Sequence, residues 1–472
     1  MNNKKVLVVA VNMGYGHQRT AYPLKQFTPN QRVINANDYP GIPETDKKIW
    51  ESTRTFYEFI SKFKKVPLIG NIAFFIFNKF QEIPTFYPHR DLSKPTFSLK
   101  RIFSTIKKGW GEDLILRLKK DYNPPTASSH SSFRSERAPN LPLITTFFTA
   151  AFMAEVFEYP GDIFCVICDA DISRVWVSFG PQKSKIKYFV PNTWVVNRLK
   201  LYGVKEKNIF LTGYPLPIEN IGTEKQEILK EDLAYRILNL DPVGKFYKNY
   251  KPLVNEHMGA LPKKSDHPLT ILFSIGGAGA QKEIAIEYVK SLAEKIKRGE
   301  IKIILSAGIR GKVKEYFLGE IKKLGLEKNL GLNIEIIFEN GIENYFETFN
   351  QKLRKTDILW TKPSELSFYA GLGTPIIIAP SIGSQEDFNR KWLLSLRAGI
   401  PQENPKYANQ WIFDYLNSGR FAEAALYGFL EVEKLGVYNI ERAIASEKIC
   451  PGGEFRKISS TGQNSKKDKG IE

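Results

Sequence analysis

Near the amino terminus, "VNMGYGHQRTAYPL" (residues 11–24) sets Gly14, Gly16 and His17 within four residues, directly after the apolar run "VLVVAV". Glycine accepts backbone angles that other residues resist, so the pair can serve a sharp exit from a buried strand. It also lets a ligand approach the main chain, with His17 at the mouth of a cleft. A second cluster, "SIGGAGAQKEIAIEYV" (274–289), carries Gly276, Gly277 and Gly279, followed by Gln281. A strand ends there and a helix opens, and helix N-termini favour negative charge. A diphosphate fits that arrangement, and so does a merely tight turn. A third stretch, "TKPSELSFYAGLGTPIIIAPSIGSQEDFNRKWL" (361–393), places Pro363, Ser364 and Glu365 after one strand, and Gln385, Glu386 and Asn389 after the next. Gln385 and Glu386 carry groups that hydrogen-bond sugar hydroxyls, or that simply open a polar helix.

These residues need a frame. Apolar runs of four to six residues recur with amphipathic stretches between them: 6–11, 32–38, 143–148, 164–169 and 187–192, then 269–277, 301–308, 334–340, 358–362 and 375–380. Such runs predict parallel strands covered on both faces. Two sets predict two doubly wound α/β domains, with the motifs at the carboxyl ends of strands, the side on which open sheets bind ligands. Pro215 and Pro217 in "LTGYPLPIENIG" mark the boundary. The expected domains are 1–214 and 215–450, with residues 223–267 as helix plus connector. The segment 451–472 is too polar to bury a core and reads as a disordered tail.

At 472 residues, 42% hydrophobic and 25% charged, the chain has the composition of a globular protein of two domains. The longest apolar stretch, 66–77, is a dozen residues broken by Pro67, Gly70 and Asn71. That falls short of the ~18–20 residues that cross a bilayer. Three cysteines make no disulfide framework and point to a reducing, cytoplasmic setting. Cys165 and Cys168 form a CxxC without a second pair, which reads as buried thiols rather than zinc ligands. A net charge of +18 points to an anionic partner. No basic repeat, zinc-finger spacing or RNA-binding aromatic signature directs it to nucleic acid.

Residues 51–120 hold fourteen Lys and Arg against six Asp and Glu. Phe56, Phe59, Ile60 and Phe63 fall at helical spacing. They suit a helical insertion packed on its domain. They equally suit aromatics dipping into a membrane interface while Lys62, Lys64, Lys65 and Lys79 meet anionic headgroups.

The GxGH motif, the GGxG turn, the small-residue helix and the "GSQE…N" loop together resemble glycosyltransferase family 28. That family includes the plant galactolipid synthases and the bacterial enzyme that adds N-acetylglucosamine to the peptidoglycan lipid precursor. "CDADISRVWV…KYFVPN…RLKLYGVKEKNIFLTGYPLP" is similar to the galactolipid-synthase-like members. The likeness spans 5–22, 163–217 and 269–393. It implies a GT-B fold, two Rossmann-like domains across a cleft, with a nucleotide-sugar donor, UDP-linked, on the second domain. It implies a lipid or lipid-linked acceptor on the first, at the inner face of a membrane, and no metal or other cofactor.

By motif, the resemblance places Gly276, Gly277 and Gly279 at the diphosphate, Gln385 and Glu386 at the donor sugar, and His17 at the reaction centre. An inverting transfer needs a base for the acceptor hydroxyl, and imidazole suits that task. Asp169 and Asp171, at a strand end in the same domain, are candidates to orient or replace it. One departure stands out: where the family carries a ribose-binding glutamate, seven residues before Pro375, this chain has Phe368. Glu365, one turn earlier, is the substitute on offer. A nucleotide-sugar epimerase and a non-catalytic binding scaffold are the rival readings on the same fold.

Overall fold

A computed structural model describes residues 5–63, 82–122, 141–276, 281–381 and 383–445. The first six strands are β1 (Leu7–Ala10), β2 (Ile34–Asn35), β3 (Leu143–Thr145), β4 (Ile163–Val166), β5 (Lys187–Val190) and β6 (Ile209–Leu211). They form one sheet in the order β2-β1-β3-β4-β5-β6, parallel throughout. The next six are β7 (Thr270–Ser274), β8 (Lys302–Gly308), β9 (Ile334–Phe338), β10 (Ile358–Thr361), β11 (Ile376–Ile378) and β12 (Gly399–Pro401). They form a second parallel sheet in the order β12-β11-β10-β7-β8-β9.

The central strands are buried because their apolar side chains face helices on both sides. Two of the expected runs are joined by edge strands that sequence reading did not single out, β6 and β12, each three residues long. The expected cut at 214/215 falls in the connection between β6 and β7. The chain then crosses back: Ile440, Ala443 and Ile444 of the helix Gly436–Ala445 pack on Val6, Val8, Phe164 and Phe189 of the first sheet. A β-carbon on Gly436 would lie 2.1 Å from the Tyr214 carbonyl oxygen, so only glycine lets this helix start against the interdomain connection. Two Rossmann-like domains face one another across a cleft, the GT-B arrangement.

Each sheet reverses its strand order once. In the first the reversal lies between β1 and β3, in the second between β7 and β10. Crevices at the carboxyl ends of such strand pairs are where open α/β sheets hold ligands. His17 follows β1, and Gly276 follows β7.

Among the described residues, no helix is long and apolar enough to cross a membrane. The helix Glu44–Phe63 carries Phe56, Phe59, Ile60 and Phe63, whose side chains lie outside the described residues. The same holds for the Lys62 side chain, for Lys64, Lys65 and Lys79, and for the tail 451–472.

Candidate functional site

The chain leaves β1 through Gly14, whose φ of +116° few other residues adopt, and enters the short helix α1 (Tyr15–Ala21). Gly16 serves closeness instead. A β-carbon there would lie 3.2 Å from Glu365 Oε2, a carboxylate of the opposite domain. His17 is tied across the first reversal of strand order: Nδ1 donates to the Thr146 carbonyl at 2.8 Å, and Thr146 Oγ1 donates to the His17 carbonyl at 2.9 Å. With its proton on Nδ1, the ring keeps a lone pair on Nε2. Phe147 lies edge-on to the ring at 4.7 Å, and Cys168 Sγ stands 3.5 Å from Nδ1. Burial pulls the imidazole pKa down to about 4 against the opposing pull of the Thr146 bond, so the ring is neutral at pH 7.

Asp169 stands at the carboxyl end of β4. Burial raises its pKa to about 6, and the Glu365 and Glu386 carboxylates push in the same direction. Asn389 restrains it from the other domain. Asn389 Nδ2 donates to Asp169 Oδ1 at 3.0 Å, while Asn389 Oδ1 accepts the Ala170 N–H at 2.7 Å. Asp171 does not join this group. Its carboxylate accepts Arg198 Nε at 2.9 Å and Nη2 at 2.8 Å, plus the Ile172 N–H at 2.8 Å, and so braces the loop after β4.

On the second domain, Pro363 lends its carbonyl to Asn389, and Ser364 precedes the 3₁₀ helix Glu365–Leu372. Glu365 accepts Arg19 Nε at 3.2 Å. Glu386, buried at the start of the helix Ser384–Ser395, is paired with Lys362. Gln385 is half-buried beside Gly383. Gln281 takes a left-handed φ of +69° and donates Nε2 to the Pro380 carbonyl at 2.7 Å. Gly277 and Gly279 lie outside the described residues. Phe368 is fully buried, stacked on Tyr214 at 4.8 Å and tilted against Trp392. The position the resemblance gives to a ribose-holding glutamate is therefore core, and both nearby carboxylates are engaged by cations.

The structure thus brings His17, Cys168 and Asp169 of one domain together with Glu365, Glu386 and Asn389 of the other. Sequence reading missed Arg19 and Lys362. The available signal was a cation immediately after a strand at a reversal of order, which Lys362 satisfies in "ILWTK". Cys165 and Cys168 are buried free thiols. Among the described residues, no group of three or more His, Cys, Asp or Glu is placed to hold a metal ion.

A family described as "Domain of unknown function (DUF6938)" matches residues 260–333. No curated protein matches. Among solved structures, the S. aureus MnaA–UDP co-structure is 11% identical with a TM-score of 0.43, over 93% of this chain and 96% of that one. UDP-GlcNAc 2-epimerase from Neisseria meningitidis bound to UDP-GlcNAc is 13% identical with a TM-score of 0.42, over 93% and 100%. MurG from Acinetobacter baumannii is 13% identical with a TM-score of 0.41, over 93% and 99%. At these scores the likenesses say nothing about activity. The two-domain fold stands on the chain's own strand orders and its returning helix.

Proposed function

We propose that the chain is a nucleotide-sugar-dependent enzyme working between its two reversals of strand order. Its reaction is inverting, metal-independent transfer of a sugar from a UDP-linked donor to a hydroxyl of a lipid or lipid-linked acceptor. The acceptor oxygen attacks the anomeric carbon as the bond to the diphosphate breaks, and the diphosphate leaves with the electron pair. His17 Nε2 takes the hydroxyl proton. The observation that supports this reading is the His17–Thr146 bond, which holds the proton on Nδ1 of a buried, neutral imidazole and leaves Nε2 as an acceptor. Asp169, with a pKa near 6, is the second group able to hold a proton there.

The lipid side of the reading is supported by the excess of basic residues in 51–120. It is also supported by a groove of about 1110 Å³ containing Lys100, Lys107, Lys183 and the half-exposed Phe179. Intact protein is expected to sediment with anionic vesicles at low salt, where surface electrostatics are strongest. A lack of sedimentation there removes the membrane part alone.

The direct test is transfer of radiolabel from a panel of UDP-sugars to extracted lipids. His17→Ala should lower kcat by 10²–10⁴, the usual worth of a general base. An unchanged kcat removes His17 from the chemistry. One observation favours a second reading: the Asp169 pKa, raised first by burial and further by the Glu365 and Glu386 carboxylates of the other domain, suits the paired acid and base of an epimerase. Incubation with UDP-GlcNAc in D₂O separates the two, since epimerisation through a carbanion exchanges a sugar C–H for C–D and transfer does not.

A further inference from the structure

Lys362 is the first residue beyond β10, and Gly276 is the second beyond β7. The two strands are neighbours, so these residues flank the second sheet's reversal of order. A β-carbon on Gly276 would lie 2.5 Å from Lys362 Cε and 3.3 Å from Nζ. The outer part of the lysine side chain occupies the space that a β-carbon at 276 would take. The Lys362 side chain is only 18% exposed, and it pairs with Glu386, which is 6% exposed.

Such a pair is costly to take out of water, and well-packed apolar residues often stabilise a fold as well or better. Filling this corner needed no charge. The charge also reaches across the cleft, where it favours ionisation of Asp169. A desolvated cation at the carboxyl edge of a sheet, in the crevice that holds ligands, points to an anionic ligand group.

We infer that Lys362 receives the phosphate groups of the donor, with Glu386 as the counter-ion that holds its ammonium in place. The inference rests on the nucleotide-sugar reading and deepens it by naming the group that meets the diphosphate. A compact ammonium with three donors makes a point contact with phosphate and opposes the negative charge that builds as the diphosphate leaves. Glu386 then orients a cation rather than a sugar hydroxyl, and Gly276 leaves room for the lysine in this orientation.

Isothermal titration of the full chain with UDP, GDP, dTDP, their nucleosides and inorganic diphosphate tests this. The wild type should prefer one nucleotide to its nucleoside. Lys362→Met should weaken that nucleotide at least tenfold and leave the nucleoside unchanged, while Lys362→Arg retains most of the affinity. The double variant Lys362→Met/Glu386→Gln removes both charges and should show the same loss, which excludes an unpaired buried carboxylate as the cause. Folded Lys362→Met with undiminished nucleotide affinity overturns the assignment and leaves the nucleotide-sugar reading intact. Inorganic diphosphate bound in a Lys362-dependent way, with no nucleotide preferred, upholds the anion contact and overturns that reading. No binding of any probe at millimolar concentration overturns both.

Discussion

Arg19 leaves its own domain and ends in the other. Its guanidinium donates to Glu365 at 3.2 Å and to the Tyr345 hydroxyl at 3.3 Å, with the Phe349 and Phe346 rings 4.4 and 4.7 Å from its carbon. Nearby, the Ile309 N–H donates to the Tyr15 hydroxyl at 3.1 Å. Because Tyr15, His17 and Arg19 share one helix, whatever holds the domains together also sets the imidazole. Arg19→Met should therefore separate the domains, visible as a larger radius of gyration by small-angle scattering. Breaking a buried pair by removing one partner costs about 3–5 kcal/mol, and an early transition in urea unfolding should report it. An unchanged radius of gyration would show that Asn389 and the returning helix suffice.

The pH dependence turns on Asp169. Its folded pKa of about 6 lies above the usual carboxylate value, raised first by burial, so ionising it costs the fold more than it costs the unfolded chain. Stability is highest while the group is protonated and falls as pH rises from about 4 to about 6. Asp169→Asn lacks that cost and should be more stable at pH 7.5, on the order of 1–3 kcal/mol. Thermal melts at pH 4 and pH 7.5 check it, since the advantage must vanish at the lower pH. His17, already neutral, should contribute no limb to a rate profile between pH 6 and 9.

His267 sits between two carboxylates at the opposite end of the second sheet. Its Nδ1 meets Asp266 at 2.5 Å and its Nε2 meets Asp357 at 3.2 Å, while Asp357 also accepts the Thr270 N–H at 2.8 Å. Burial disfavours the charged ring, but the bonds and charges of Asp357 and Asp266 outweigh it and raise its pKa. The stability it adds is complete below the unfolded value near 6.5 and is lost as pH rises through the raised folded value. Comparison of His267→Gln with wild type in urea should show a gap at pH 6 that narrows by pH 9. A gap constant with pH would make the contact purely steric.

Phe368 offers a test of the donor pocket. Phe368→Ala should cost about 3–5 kcal/mol through the cavity it leaves between Tyr214 and Trp392. Phe368→Glu, which restores the carboxylate of the resembling family, should unfold the domain rather than improve nucleotide binding. Soluble Phe368→Glu with tighter nucleotide binding would mean the position faces the cleft.

The layered α/β frame was legible because "VLVVAV", "LTILFSIGG" and "PIIIAP" are short, β-branched apolar runs flanked by glycine or proline, which suit strands buried on both faces. The strands Ile209–Leu211 and Gly399–Pro401 left little trace, since an edge strand of three residues needs no such run and tolerates Pro401. His17 and Asp169 could be singled out because each follows closely on a strand of the first sheet. The spent role of Asp171 was hidden, because nothing local in "DADIS" says that Arg198 will neutralise it. The partners of Arg19, Lys362 and Gly276 were hidden for the same reason. Each depends on a partner dozens to hundreds of residues away, so pairing, unlike periodicity, had to be read from the folded chain.

The returning helix has a consequence for synthesis. Val6 and Val8 are made about 430 residues before their cover, Ile440 and Ile444. At the usual pace of chain growth, that apolar face of the first domain waits roughly 20–90 seconds on the ribosome for its lid. Through that interval the nascent chain presents a sticky sheet face, and so a natural landing site for a chaperone.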